Sequence, residues 1–403
     1  MRYVLQRHRH RIFWVSVGLV GLTLLLIGWR VVFSRSGELA TTDEPVVTQG
    51  GVVPKQIISR TLSFGDVFWG RYIDEYAKAS PSRYTYPFQA LDTLSRSDYD
   101  AWIANLECPL TDRVMTAAEQ DATLQFTCPK EYTAEAAKWF TAFTLANNHT
   151  DNQQAIDGFA QTRATLEAHG IQYFGHYDPA LHSDMCEVVT LPARMQMSDG
   201  TYKVAHLPLA MCGAHHVFKL PTDEDLAVIR RYADVMPTWV YGHMGTEYTT
   251  EPSEVQRATY RAYIDAGADM VLGSHPHRVQ TAEAYKGKLI VYSLGNFIFD
   301  QLGAAEHGGY EVWRGIGIGV TISAAADDTM MQWSQLSPQC RSFQDTCLQT
   351  LAAASQRPSY KYAFSIVTTD NSKKGVARKA SEQWDSEARR RLNWEVLVGQ
   401  LSY

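Results

Sequence analysis

The first 35 residues contain no acidic side chain, although six Arg lie among them. That absence divides the formal net charge of −6 into a +6 N-terminus and a body of 31 basic against 43 acidic residues. A body that acidic offers no basic footprint for a phosphate backbone, so nucleic acid is excluded as an expected partner. No CxxC occurs, which argues against a zinc knuckle and a thioredoxin-type redox motif. Internal repeats and low-complexity tracts are also missing, which excludes a repeat architecture. With 45% hydrophobic and 20% charged residues over 403 positions, the composition is that of a globular chain, and it excludes wholesale disorder and a multi-span transporter.

What the N-terminus does have is an uncharged run from Ile12 to Trp29. As a helix its 18 residues reach about 27 Å, and Arg30 can snorkel to extend it. Arg2, Arg7, Arg9 and Arg11 precede the run, while Arg30 and Arg35 follow it. The positive-inside rule then predicts a cytoplasmic segment 1–11, one transmembrane helix over 12–33 and an extracytoplasmic body, hence a single-pass protein of the cell membrane. A cleaved signal peptide is the rival, with Gly37–Ala40 as a weak cleavage site. Residues 34–57 read as a linker. The recognisable body is placed at 58–325, with a C-terminal extension over 326–403.

The six cysteines fall into sequence-local pairs. Outside the cytoplasm the expected disulfides are Cys108–Cys128, Cys186–Cys212 and Cys340–Cys347. Buried free thiols are the alternative.

The body alternates strand and helix. Strands are expected over Arg60–Val67, Tyr99–Leu106, Phe140–Ala146, Thr201–Pro208, Trp239–Gly242, Met270–Gly273 and Leu289–Ser293, and an antiparallel one over Gly315–Ser323. Helices are expected over Pro87–Ser95, Glu131–Trp139, Ala155–His169, Glu254–Ala266 and Ala380–Leu401. This pattern predicts an α/β fold, a layered sheet sandwich flanked by helices, with ligands at the carboxyl ends of strands. The Arg389–Arg391 cluster reads as a solvated helix face.

Polar residues recur at those strand ends: Asp66, Glu107, Asn148 with His149, His243, and His275 with His277. Singly, each is equally a cap, a turn residue or a satisfied histidine. In His275-Pro276-His277, an extended backbone would turn both imidazoles to one side. Carboxylate, amide oxygen and imidazole together suit Mn, Zn or Fe, as one or two divalent ions. Glu107 can bridge two ions, and His149 can protonate a leaving atom.

Six ordered motifs then carry a resemblance. They are Gly65-Asp66-Val67, Asn105-Leu106-Glu107, Ala146-Asn147-Asn148-His149, His243-Met244-Gly245-Thr246-Glu247-Tyr248, Gly273-Ser274-His275-Pro276-His277 and Ser293-Leu294-Gly295-Asn296-Phe297. Over residues 58–302 the chain resembles the CapA-type capsule (poly-γ-glutamate) biosynthesis proteins, which are similar to calcineurin-like metallophosphoesterases. The resemblance implies Asp66, Glu107 and His277 around a first metal, and Asn148, His243 and His275 around a second. It places His149 beside the scissile bond, and Glu247 and Tyr248 in the substrate pocket. Asn296 is assigned to substrate or to a turn near the site.

Two departures stand out. Phe68 replaces the imidazole of the wider Asp-x-His pattern, and Asn105-Leu106-Glu107 replaces Gly-Asp-x-x-Asp. The first ion is therefore expected to be the weaker. The implied function is a membrane-anchored, metal-dependent hydrolase acting on a phosphoester or amide bond of an envelope polymer. The alternative is a non-catalytic component that binds the anionic polymer or its synthase complex. A secreted soluble phosphatase is a third form.

Overall fold

The computed structural model describes residues 51–151, 157–301, 309–340, 344–353 and 356–403, the side chains of 344–347 excepted. Among these, no helix is long and apolar enough to cross a membrane. The expected span over 12–33 lies outside the described residues.

Among the described residues, fourteen strands hydrogen-bond into one mixed sheet. In chain order they are β1 (Pro54–Val67), β2 (Ala101–Leu106), β3 (Ala142–Thr144), β4 (Gln172–Phe174), β5 (Cys186–Met197), β6 (Tyr202–His215) and β7 (Thr238–His243). There follow β8 (Met270–Ser274), β9 (Ala282–Tyr285), β10 (Lys288–Val291), β11 (Asn296–Ile298), β12 (Arg314–Ala325), β13 (Lys361–Asp370) and β14 (Arg378–Lys379). The main path runs β9-β10-β8-β7-β6-β5-β1-β12-β13-β14, and helices flank it. At β1 the sheet branches. The first part of β1 pairs antiparallel with β5 and β12, and its end pairs parallel with β2 and β11. One strand thus joins two hydrophobic clusters, one around Leu207, Trp239 and Val271, the other around Phe64, Trp102 and Phe297.

Register gathers the site. Asp66 stands level with Asn105 on β2 and with Asn296 on β11. On the parallel run, His215, His243 and Ser274 stand level across β6, β7 and β8. In-register residues of parallel strands share a face, so these side chains meet at the carboxyl ends. The strands β7 and β8 are buried along their whole lengths, as befits central parallel strands. Gly65 permits the tightest approach: a Cβ there would lie 2.0 Å from the Gly295 carbonyl oxygen, which accepts the Asp66 N–H at 3.2 Å.

Several expectations are corrected. Pro87–Ser95 is no α-helix but a pair of 3-10 turns, Arg83–Phe88 and Leu91–Leu94, with Pro87 unable to donate into a helical ladder. The helix expected over Glu131–Trp139 shrinks to Thr133–Ala136. Among the described residues the next helix starts at Gly158, capped by Asp157 Oδ1 accepting the Ala160 N–H at 3.1 Å. The tail over Ala380–Leu401 is two helices, Glu382–Leu392 and Trp394–Gly399, parted at Asn393 in the left-handed region (φ 49°). Its Arg cluster is not a purely solvated face. Arg391 Nη1 donates to the Val279 carbonyl at 3.2 Å and pairs with Glu311 at 2.7 Å.

Disulfides join Cys108–Cys128 and Cys186–Cys212, the latter directly across β5 and β6. The expected Cys340–Cys347 pair falls partly outside the described residues.

Candidate metal centre

Asp66 and Glu107 are fully buried at the ends of β1 and β2. Burial pushes both carboxyls up, Glu107 well above the usual range, where Asp66 beside it adds to the rise. A neutral amide sits between them: Asn105 Nδ2 donates to Asp66 Oδ1 at 2.8 Å and to Glu107 Oε2 at 3.4 Å. Asn147 Nδ2 in turn holds Asn105 Oδ1 at 2.9 Å. Two buried carboxylates without a cation are costly.

His277 completes a compact group with them. One ligand atom each from Asp66, Glu107 and His277 lie within 4.8 Å of one another, a group that could hold a metal ion. The His277 tautomer follows from its neighbour. Asn296 Nδ2 donates to the Val312 carbonyl at 2.9 Å, so its Oδ1 accepts from His277 Nδ1 at 2.8 Å. The lone pair then lies on Nε2, 3.9 Å from Glu107 Oε1. Asn296 acts here on the imidazole.

A second group reaches Glu107 through His243. His243 Nε2 lies 2.8 Å from Asn148 Oδ1 and 3.9 Å from Glu107 Oε1. Its Nδ1 is 2.9 Å from Ser274 Oγ, which donates onward to the Gly242 carbonyl at 3.3 Å. Nδ1 also lies 3.3 Å from Asn105 Nδ2, which can only donate. The tautomer that accepts there gives its Nε2–H to Asn148 Oδ1. The tautomer that donates to Ser274 Oγ leaves the Nε2 lone pair beside Asn148 Oδ1, where a cation would satisfy both. The His275 ring is 4.9 Å from that of His243. Burial holds His243 well below the ordinary imidazole value, and burial with the neighbouring His277 holds His275 down to about 2. Both are therefore neutral, the form that ligates. Glu107 Oε1 and His275 Nδ1 are buried without a hydrogen-bond partner among the described residues. The residues present thus fit a divalent cation.

The His275-Pro276-His277 segment corrects the expected extended backbone. It is a bend with both histidines left-handed, φ 92° and 56°. That conformation is strained for residues with a Cβ. It lets the His275 N–H donate to Asp66 Oδ2 at 3.4 Å and leaves the two rings 6.1 Å apart.

Around this centre, His149 is half-buried and stacks on Phe126 at 4.1 Å. Tyr248 stacks on His277 at 6.0 Å and accepts from Gln301 at 3.2 Å, and burial with Glu247 pushes its phenol up to about 12. Glu247 itself is exposed. Reading the sequence missed Asn105 and Ser274, although both lie inside the quoted motifs, one or two residues from an assigned ligand. His215, 6.0 Å from the His243 ring and held down to about 4 by burial, and the buried pair Arg71–Asp300 were also missed. Nothing local in their sequence marks them.

A family model described as bacterial capsule synthesis protein PGA_cap matches residues 61–301, which hold every residue of this centre. The chain belongs to that family. Among similar proteins, the PGA biosynthesis protein CapA of Bacillus subtilis is 28% identical over 261 residues, 59% of this chain and 62% of that one. The capsule biosynthesis protein CapA of Bacillus anthracis is 29% identical over 248 residues, 59% of each. A probable polyglutamine synthesis accessory protein of Mycobacterium tuberculosis is 27% identical over 241 residues, 56% of this chain and 62% of that one. The match thus spans about three fifths of these relatives' own length. A crystal structure from Thermus thermophilus aligns at TM-score 0.32 and 11% identity over 59% of this chain and 89% of that one, too slight a likeness to inform the fold.

Proposed function

We propose that this PGA_cap protein takes part in capsule synthesis as a metal-dependent hydrolase of an envelope polymer, cutting a phosphoester or an amide bond. The carrying observation is the pair of buried carboxylates flanked by neutral imidazoles, with Glu107 Oε1 and His275 Nδ1 unpartnered. Asp66, Glu107 and His277 would hold one ion, and Asn148, His243 and His275, sharing Glu107, a second. Bound Mn, Zn or Fe would supply Lewis acidity and an acidified water. Asn105, Asn296 and Ser274 orient the ligating atoms through the hydrogen bonds above. His149, held against Phe126, would give a proton to the leaving atom. Glu247 and Tyr248 would line the substrate side. The partners are the anionic polymer or its synthase complex, with residues 12–33 anchoring the protein to the membrane and its body outside. The domain limits 58–325 and 326–403 belong to the same proposal.

A second reading, a non-catalytic component that binds polymer or synthase, is favoured by Phe68, buried where the wider pattern places an imidazole. The full chain, purified and metal-loaded, decides between them on a generic phosphodiester and on γ-linked glutamyl polymer, beside His149→Ala and His277→Ala. Turnover that needs metal and both histidines supports the hydrolase. Polymer binding that survives both substitutions, with no turnover, supports the second reading.

A further inference from the structure

We infer that Arg71 is the anion anchor of this site, receiving a phosphoryl or carboxylate oxygen of the substrate on its guanidinium. The inference deepens the reading above and rests on it for there being an anionic substrate.

Arg71 follows Asp66 by five residues and opens the helix Arg71–Ala79 with φ 41°, a left-handed conformation that a residue with a Cβ adopts at a cost. Its side chain is 6% exposed. A charge that buried needs a purpose or a partner. Asp300 is the partner: Arg71 Nε and Nη2 both donate to Asp300 Oδ1, at 3.1 and 2.6 Å. Asp300 Oδ2 accepts the Tyr72 N–H at 3.0 Å, so the acid is itself held. One edge of the guanidinium is thereby fixed. Nη1 is bonded to nothing among the described residues.

The setting places this cation in the wall of the site. The guanidinium lies over Phe126 at 4.6 Å, over Phe68 at 4.9 Å and near Phe299 at 5.8 Å. Phe126 also stacks on His149, and Phe299 packs on His277 at 5.0 Å. Arg71 is therefore one ring away from the proposed proton donor and one ring away from a proposed ligand. Gln301, next to Asp300, bonds Tyr248 on the same rim. The aromatic walls lower the local dielectric and strengthen a charged hydrogen bond there. With one fork edge spent on Asp300, the remaining nitrogen suits a single oxygen of a phosphoryl group or carboxylate.

The test measures binding, apart from turnover. Calorimetry with the full chain loaded with Mn would follow inorganic phosphate and a γ-linked glutamyl oligomer, with metal content determined in parallel. Arg71→Lys keeps the charge and loses the fork. The double variant Arg71→Met, Asp300→Asn removes both charges together, so no acid is left buried alone. The expected result is at least tenfold weaker binding of one probe in both variants at unchanged metal content, and the probe affected identifies the oxygen's source. Wild-type affinity for both probes in a folded variant would overturn the inference. So would loss of metal in step with loss of anion, or failure of the loaded wild type to bind either probe. Should the double variant not fold, the Lys variant decides. Arg71-dependent binding without any turnover keeps this inference and sinks the hydrolase reading alone.

Discussion

The two proposed halves of the centre present opposite chemistry on either side of one acid, Glu107. On the Asp66 side, two carboxylates and one imidazole converge within 4.8 Å. On the His243 side, His243 Nε2 lies 3.9 Å from the same Glu107 and 2.8 Å from the Asn148 amide oxygen, with the His275 ring 4.9 Å from that of His243, and among the described residues these three bring no acid of their own. Counting ligands ranks the Asp66 half as the weaker, since Phe68 stands where the wider pattern has an imidazole. Counting charge ranks it the other way, since Coulombic attraction for a dication grows with the number of carboxylates. The two rankings make opposite predictions for metal retention.

The largest expected effect strikes both halves together. Glu107→Gln should abolish metal retention at either position, a loss beyond the roughly 10–100-fold caused by removing an outer hydrogen-bond partner. Metal analysis after dialysis measures it, and one fully retained ion would show that the halves do not share Glu107. Next, Asp66→Asn and His243→Asn should separate the halves. If the Asp66 half is the tighter, dialysed protein keeps its ion in the His243 variant and loses it in the Asp66 variant; the reverse pattern breaks the comparison. Asn296→Ala should then lower affinity in the Asp66 half alone, by about 10–100-fold, because His277 loses the acceptor that fixes its tautomer.

A smaller effect concerns acid. In metal-free protein, His243 and His275 fold neutral, with values below the ordinary 6.5. Their stabilisation is fully present above about 6.5 and is lost as pH falls below it, at about 1.4 kcal/mol per unit for each. Asp66 and Glu107 have raised values, so acid acts on them in the opposite sense: lowering the pH relieves their buried charge. Denaturant titration between pH 7 and pH 5 should show a steeper acid loss in Asp66→Asn, Glu107→Gln protein than in wild type. An equal slope would mean that the carboxyls stay ionised in the fold throughout that range. Far from both halves, Arg389→Ala should cost at most about 1 kcal/mol, because its ion pairs with Asp385 and Glu395 are largely exposed.

Where the sequence carried a period and a boundary, it placed elements well. Strands β7 and β8 and the helix Glu254–Asp265 appear within a residue or two of expectation, each ended by a polar residue or a glycine. The residues of the six motifs converge because register puts strand ends side by side. The bend at His275–His277 was hidden, since left-handed backbone is signalled by glycine and here histidine adopts it. Arg71–Asp300 is separated by 229 residues and has no local pattern to betray it. The pairing of β12 with β13 was hidden in the same way, because partners that distant are matched by the folded sheet alone.

β1 is bonded on both edges, and Asp66 sits at its far end. Its antiparallel ladder with β12 runs from Gln56↔Ala325 to Ser63↔Ile318. A pull applied at Val52 along β1 would load those bonds together in shear. We predict that the fold yields abruptly to such a pull, in one event that dismantles the metal centre with it. Single-molecule extension from Val52 against Tyr403 would show one dominant rupture, and a staircase of small steps would disprove it. Under the proposed anchoring through residues 12–33, the strand that bears the load would also be the strand that holds Asp66.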